Sequence, residues 1–122
     1  MSQELRDLRD TGDLEEAFTA PLAVVFKHSP RCGLSALTAR EIAAFLEARP
    51  EVPVYRVDVV QERPLSAEVE RRSGVRHESP QALVLRDGTV EWHGSHRAIT
   101  AEALGRATPG DGAPERGPGL RL

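Results

Sequence analysis

The sequence predicts an α/β fold: a mixed four-stranded sheet, built as βαβ followed by ββα and flanked by helices. Three observations predict it. Two strand-length apolar runs, residues 22–27 and 52–59, are separated by one long amphipathic stretch. Such a crossover makes the two strands parallel. The pair Asp87-Gly88 joins two further β-type runs, and this two-residue hairpin signal makes the last two strands antiparallel. Helix-period segments also lie at the start, after the second strand and near the end.

In chain order, Leu5, Leu8, Leu14, Ala17 and Phe18 are spaced partly as a helix face, broken at Thr11-Gly12. Asp13 is the expected N-cap for residues 14–18. Pro21 ends that segment, and residues 22–27 read as a buried strand. After a loop at residues 28–31, a helix is expected over residues 33–48. Its apolar stripe is Leu34, Leu37, Ile42, Phe45 and Leu46, and Pro50 stops it. Residues 52–59 alternate as a second strand. Residues 64–73 form the next helix, with Pro64 in its first turn and Gly74 as its C-terminal stop. Residues 75–79 are a loop that enters Pro80. Residues 81–86 and 89–93 are the hairpin strands. Residues 100–106 make a short helix capped by Thr100. The domain is expected to span residues 1–106, and the Gly/Pro-rich residues 107–122 read as a disordered tail.

Composition narrows the function. The chain of 122 residues carries a net charge of −3, so no overall basic field attracts nucleic acid. Its single cysteine cannot form an internal disulfide, which fits a reducing compartment. The N-terminus is polar and mixed in charge rather than a signal peptide, and the longest apolar run is only strand-sized. The expectation is a soluble cytoplasmic protein without nucleic-acid or membrane partners.

The element order is that of a thioredoxin-like fold. In that plan the first strand delivers Cys32 to one end of the sheet. The third strand starts there, at Pro80, and the fourth finishes there, at His93-Gly94-Ser95-His96. Cys32 is the candidate nucleophile, because a helix N-terminus and its neighbours Lys27, His28 and Arg31 favour thiolate over thiol. Arg31 is the candidate to hold an anionic small thiol; Lys27, Arg40 and Arg97 read as solvated surface charges. Ser35 stands where a dithiol oxidoreductase would place its resolving cysteine. Serine cannot resolve a mixed disulfide, so Cys32 must work by a monothiol route. Ser35 can donate a hydrogen bond to the thiolate. In this fold the Ser79-Pro80 bond is cis, which leaves Ser79 N–H and C=O to pair with a substrate laid alongside as an extra strand. His28, His93 and His96 can tune the sulfur or move protons. Their spacing matches no compact metal-ligand motif, so no metal is expected.

The segments Phe26-Lys27-His28-Ser29-Pro30-Arg31-Cys32, His77-Glu78-Ser79-Pro80-Gln81 and Trp92-His93-Gly94-Ser95-His96-Arg97-Ala98-Ile99-Thr100 resemble the monothiol bacilliredoxin family, thioredoxin-like general-stress proteins of the bacillithiol system. The resemblance covers about residues 10–105. It implies removal of bacillithiol from S-thiolated client proteins, with bacillithiol as co-substrate and no bound cofactor. It also implies that Cys32 is the active cysteine and Pro80 the cis proline, with His93 and His96 in the loop beside them. Proline commonly follows the cysteine in that family. Gly33 stands there here and loosens the helix start, so it bears on thiolate stabilisation. Two other readings remain. Cys32-Gly33-Leu34-Ser35 also resembles the Cys-Gly-Phe-Ser signature of monothiol glutaredoxins, which carry iron–sulfur clusters with glutathione, but the downstream Gly-Gly and acidic pair of those proteins are missing. A non-catalytic thioredoxin-like adaptor is the third.

Overall fold

The computed structural model describes residues 5–30 and 33–109. Within them the elements are β1 (Arg6–Asp7), α1 (Thr11–Thr19), β2 (Leu22–His28), α2 (Gly33–Ala48), β3 (Val54–Asp58), α3 (Arg63–Ser73), β4 (Gln81–Arg86), β5 (Thr89–Ser95) and α4 (Ala101–Ala107), with a 3-10 turn at His96–Ala98 before α4. The sheet order is β1-β3-β2-β4-β5. β1, β3 and β2 are parallel; β4 runs antiparallel to β2, and β5 to β4.

β2 is the centre of the molecule, and its side chains alternate between two apolar layers. Ala23 and Val25 pack with Leu14, Phe18, Leu65 and Val69 beneath α1 and α3. Val24 and Phe26 face the other way, against Ile42 and Phe45 of α2 and Leu104 of α4. A strand covered on both faces must be apolar at successive positions, which is why residues 22–27 read as an unbroken run. By the same parity Lys27 belongs to the α1/α3 layer and His28 to the α2 layer.

The structure corrects three expectations. The sheet has five strands rather than four. β1 is only two residues long, both exposed, and pairs with Tyr55 and Arg56 of β3; so short a strand carries no alternation to detect. It is held by Leu8 N–H donating to Arg56 C=O at 2.7 Å and by Arg56 Nε donating to Asp7 Oδ1 at 2.7 Å. The cap of α1 is Asp10, whose Oδ1 accepts from Asp13 N–H at 2.9 Å, so Thr11-Gly12 form the first turn instead of breaking the helix. Asp13 reaches back to accept from Arg9 N–H at 2.8 Å. Finally, residues 107–109 pack with the domain. Ala107 closes α4, Thr108 is fully buried, and the Arg49 guanidinium donates to Thr108 C=O. The rest of the expected tail, residues 110–122, lies outside the described residues.

Other expectations hold closely. α2 occupies residues 33–48 as predicted. Gly74 ends α3 in the left-handed region at φ 75°. Thr100 caps α4 by accepting from Ala103 N–H at 3.0 Å. Asp87 and Gly88 take φ 52° and 82°, the paired positive values of a tight hairpin turn. No helix of the described residues is long and apolar enough to cross a membrane.

Two glycines are predicted to respond with opposite signs. A Cβ on Gly88 would meet Phe18 C=O at 2.6 Å on a positive-φ backbone, whereas one on Gly105 in α4 meets nothing within 4 Å. Gly88→Ala should cost roughly 1–3 kcal/mol. Gly105→Ala should gain up to about 1 kcal/mol. Urea denaturation of the two variants checks both.

Candidate active site

Strand register brings three separate segments to one end of the sheet. Gln81, the first residue of β4, pairs with Lys27 of β2 on one side and Ser95 of β5 on the other. The loop leaving β2, the Ser79-Pro80 entry to β4 and the exit of β5 at His96 therefore lie side by side. Ser79-Pro80 is cis, as the fold assignment predicts, and Pro80 is buried. His96 turns back at φ 55°, and its N–H donates to Pro80 C=O at 3.0 Å. That bond ties the β5 exit to the proline. Arg31 and Cys32 lie outside the described residues.

The flanks of the cysteine are described. Gly33 opens α2, is exposed, and has room for a Cβ with nothing within 4 Å; packing does not require glycine there. Ser35 is fully buried rather than solvated, and its Oγ accepts from Ser29 N–H at 3.3 Å. The accepting oxygen is used on the loop backbone, and its hydroxyl hydrogen has no acceptor among the described residues. Among those residues, three buried side-chain atoms lack a hydrogen-bond partner: His28 Nδ1, Ser79 Oγ and Gln81 Oε1. All three belong to this end of the sheet. Buried polar groups are otherwise almost always paired, so their clustering marks where the interior is least satisfied.

The electrostatics differ from the sequence-based picture. Lys27 is not a solvated cation but has no exposed surface, and it points into the α1/α3 layer. Its Nζ lies 3.0 Å from His77 Nδ1. Desolvation lowers its pKa to about 8, with Glu70 opposing the shift. His28 is likewise held below the ordinary imidazole range, first by burial and then by the Arg56 guanidinium. A neutral His28 adds no positive charge at neutral pH, and Lys27 is turned into the α1/α3 layer, so neither presents a solvated cation at the β2 exit.

His93 and His96 part company. His96 sits beside Pro80, with Nδ1 4.0 Å from Glu78 Oε1. His93 pairs with Leu83, two rungs down from the sheet end, and is exposed. Gly94 between them allows Trp92 to fold over, because a Cβ there would meet the indole at 2.7 Å. Sequence reasoning missed His77, which meets Lys27 from the loop entering Pro80. The signal available was His77-Glu78 directly before Ser79-Pro80. A cleft of about 370 Å³, lined by Asp7, Arg9, His28, Pro30, Arg56 and Asp58, flanks the β2 exit. Among the described residues no group of three or more His, Cys, Asp or Glu could hold a metal ion.

Comparison with known proteins agrees with this geometry. The family model described as "Monothiol bacilliredoxin BrxC" matches residues 3–104. The chain is similar to a solved structure described as "A putative oxidoreductase with a thioredoxin fold", with 31% identity and a TM-score of 0.79, covering 84% of this chain and 92% of that one. Thioredoxins share the fold at lower identity. That of Fasciola hepatica has 24% identity and a TM-score of 0.61, covering 81% of this chain and 89% of that one. That of Trypanosoma brucei brucei has 15% identity and a TM-score of 0.67, covering 85% of each chain.

Two imidazoles, half-buried His28 and exposed His77, predict an acid-side loss of stability. His28 and His77 both have folded-state pKa values below the ordinary 6.5, desolvation being the larger cause in each. The unfolded chain then takes up these protons first. The stability they confer is complete above about pH 6.5 and declines as pH falls towards the folded-state values. Between pH 7 and 5, the slope of unfolding free energy against pH should be shallower for His28→Phe/His77→Gln than for wild type, as read by urea titrations.

Proposed function

The chain belongs to the monothiol bacilliredoxin family of thioredoxin-fold thiol oxidoreductases, and from that premise we propose that it removes bacillithiol from protein mixed disulfides by a single-cysteine route. The observation that carries this reading is the register Lys27–Gln81–Ser95, which sets the β2 exit loop, the cis Ser79-Pro80 bond and His96 at one end of the sheet. Cys32, the only cysteine, follows that loop.

In this mechanism the client segment lies along Ser79 as an added strand and pairs with its backbone. Neither backbone group of Ser79 has a hydrogen-bond partner among the described residues. Cys32 thiolate attacks the sulfur of the bacillithiol half. A Cys32–bacillithiol disulfide forms as the original S–S bond breaks, and the client sulfur leaves as thiolate and takes a proton from water. A second low-molecular-weight thiol then attacks the adduct, leaves as a disulfide with bacillithiol, and restores Cys32 thiolate. Arg31 holds the anionic part of the small thiol. His96 and, from further off, His93 border the bound substrate. Ser35 donates to the thiolate, and Gly33 and the neutral His28 set its surroundings. The setting is a reducing cytoplasm, in which a lone thiol stays free.

The test is intact-mass spectrometry after mixing the protein with a client peptide carrying a bacillithiol mixed disulfide. Wild type should gain one bacillithiol mass at Cys32 as free client thiol appears, faster than with the matching glutathione adduct. Cys32→Ser should release no more thiol than peptide alone. A wild-type protein that acquires no adduct, or a Cys32→Ser variant that still releases thiol, overturns the reading.

A further inference from the structure

Lys27 is the only lysine in the chain; the other cationic side chains, apart from histidine, are arginines. It is also the only buried cation among the described residues. Burial of an amine costs free energy unless it is hydrogen-bonded, and Lys27 meets its partner across 50 residues of sequence, at His77 Nδ1, 3.0 Å away. His77 is held from two further directions. Its N–H donates to Glu70 Oε2 at 3.1 Å, and Ser66 Oγ lies 3.4 Å from the same Nδ1. Two residues on stands Ser79, and Gln81 Nε2 donates to Arg76 C=O at 2.9 Å within the same loop. The strand that leads to Cys32 is thus bonded, through one amine, to the loop that leads to the cis proline.

We propose that Lys27 is a positioning residue for thiol exchange: its buried Nζ, bonded to His77, latches the loop of residues 75–80 onto β2 and holds Ser79 at the height at which it receives the client strand. The role of Ser79 rests on the reading given above; the latch itself does not.

The latch is strongest while Lys27 carries its proton and His77 Nδ1 does not. The groups facing it are Ser66 and Glu70 of α3, Glu78 of the loop, and the neutral Gln81 of β4 opposite Lys27. In acid, an imidazolium would stand against an ammonium. Above about pH 8 the amine loses its charge, and a charge-assisted bond becomes an ordinary one. Client binding is therefore tightest near neutrality and weakens on both sides. An arginine there would lack the alkaline weakening, because it does not lose its proton.

Three measurements on the full chain decide the matter. With lysine 15Nζ-labelled, the single side-chain resonance should titrate near pH 8 and shift in His77→Gln. In hydrogen exchange without any substrate, Lys27→Met should expose amides 76–79 while leaving β2 and β4 protected. In turnover, Lys27→Met should raise KM about 5-fold, the worth of one hydrogen bond, with kcat within about 2-fold. Kd for the client peptide, measured in a Cys32→Ser background to remove the thiol's own titration, should pass through a minimum near pH 7. His77→Gln, which keeps an acceptor that does not titrate, should lose the acid limb alone. Unchanged amide exchange in Lys27→Met overturns the latch whether or not the chain turns over bacillithiol adducts. Altered exchange with KM and the Kd profile unmoved overturns its role in client binding.

Discussion

The register of β4 between β2 and β5 is the constraint from which the site follows. Gln81 is bracketed by Lys27 and Ser95, so three loops distant in sequence must leave the sheet together. A slip of one residue would do more than displace a loop. It would turn Leu83 and Leu85 from the α1/α3 layer to the α2 layer and bring Ala82 and Val84 the other way, exchanging large side chains for small in both cores. The apolar pattern of β4 therefore protects the geometry around Pro80, although those side chains are themselves buried in the core. The proline loop adds its own fastening, His96 N–H to Pro80 C=O, so the β5 exit follows any movement of the proline.

The polar character of the site is quieter than its composition suggests. Arg31, His28 and Lys27, within five residues of sequence, look like a cationic nest for a thiolate. Alternation in β2 sends Lys27 and His28 to opposite faces, and burial keeps the imidazole neutral. What the described structure offers instead is a set of unsatisfied buried groups, His28 Nδ1, Ser79 Oγ and Gln81 Oε1, together with a serine whose hydroxyl is turned onto the loop backbone.

Most of the architecture was legible because it is written in periodicity. α2 was readable from its stripe, β4 and the Asp87-Gly88 turn from an apolar run ending in a residue pair suited to positive φ, and the cis proline from the topology those elements imply. β1 was not legible, since Arg6 and Asp7 bear no strand pattern and are held by backbone bonds to β3 and by Arg56. The cap of α1 was misplaced by three residues because Asp10 and Asp13 are equally good caps in isolation; tertiary placement of the turn decides between them. In the site, the convergence of segments could be inferred, but side-chain direction could not. His93 and His96 look equivalent in sequence, yet one faces outward two rungs down and the other stands beside the proline. Lys27 and His77 are far apart in the chain, and only the fold makes them neighbours.

β1 has one more effect. An open sheet ends in two rows of backbone groups ready to pair with another molecule. On one flank β1 supplies a rung only two residues long, both charged and both exposed. On the other, β5 is kinked by an irregularity opposite Val84 and Leu85 and carries Glu91 and His93 outward. Neither border is a flat apolar ribbon on which a second molecule could stack. Both flanks of the sheet are thereby poor templates for pairing with a second strand.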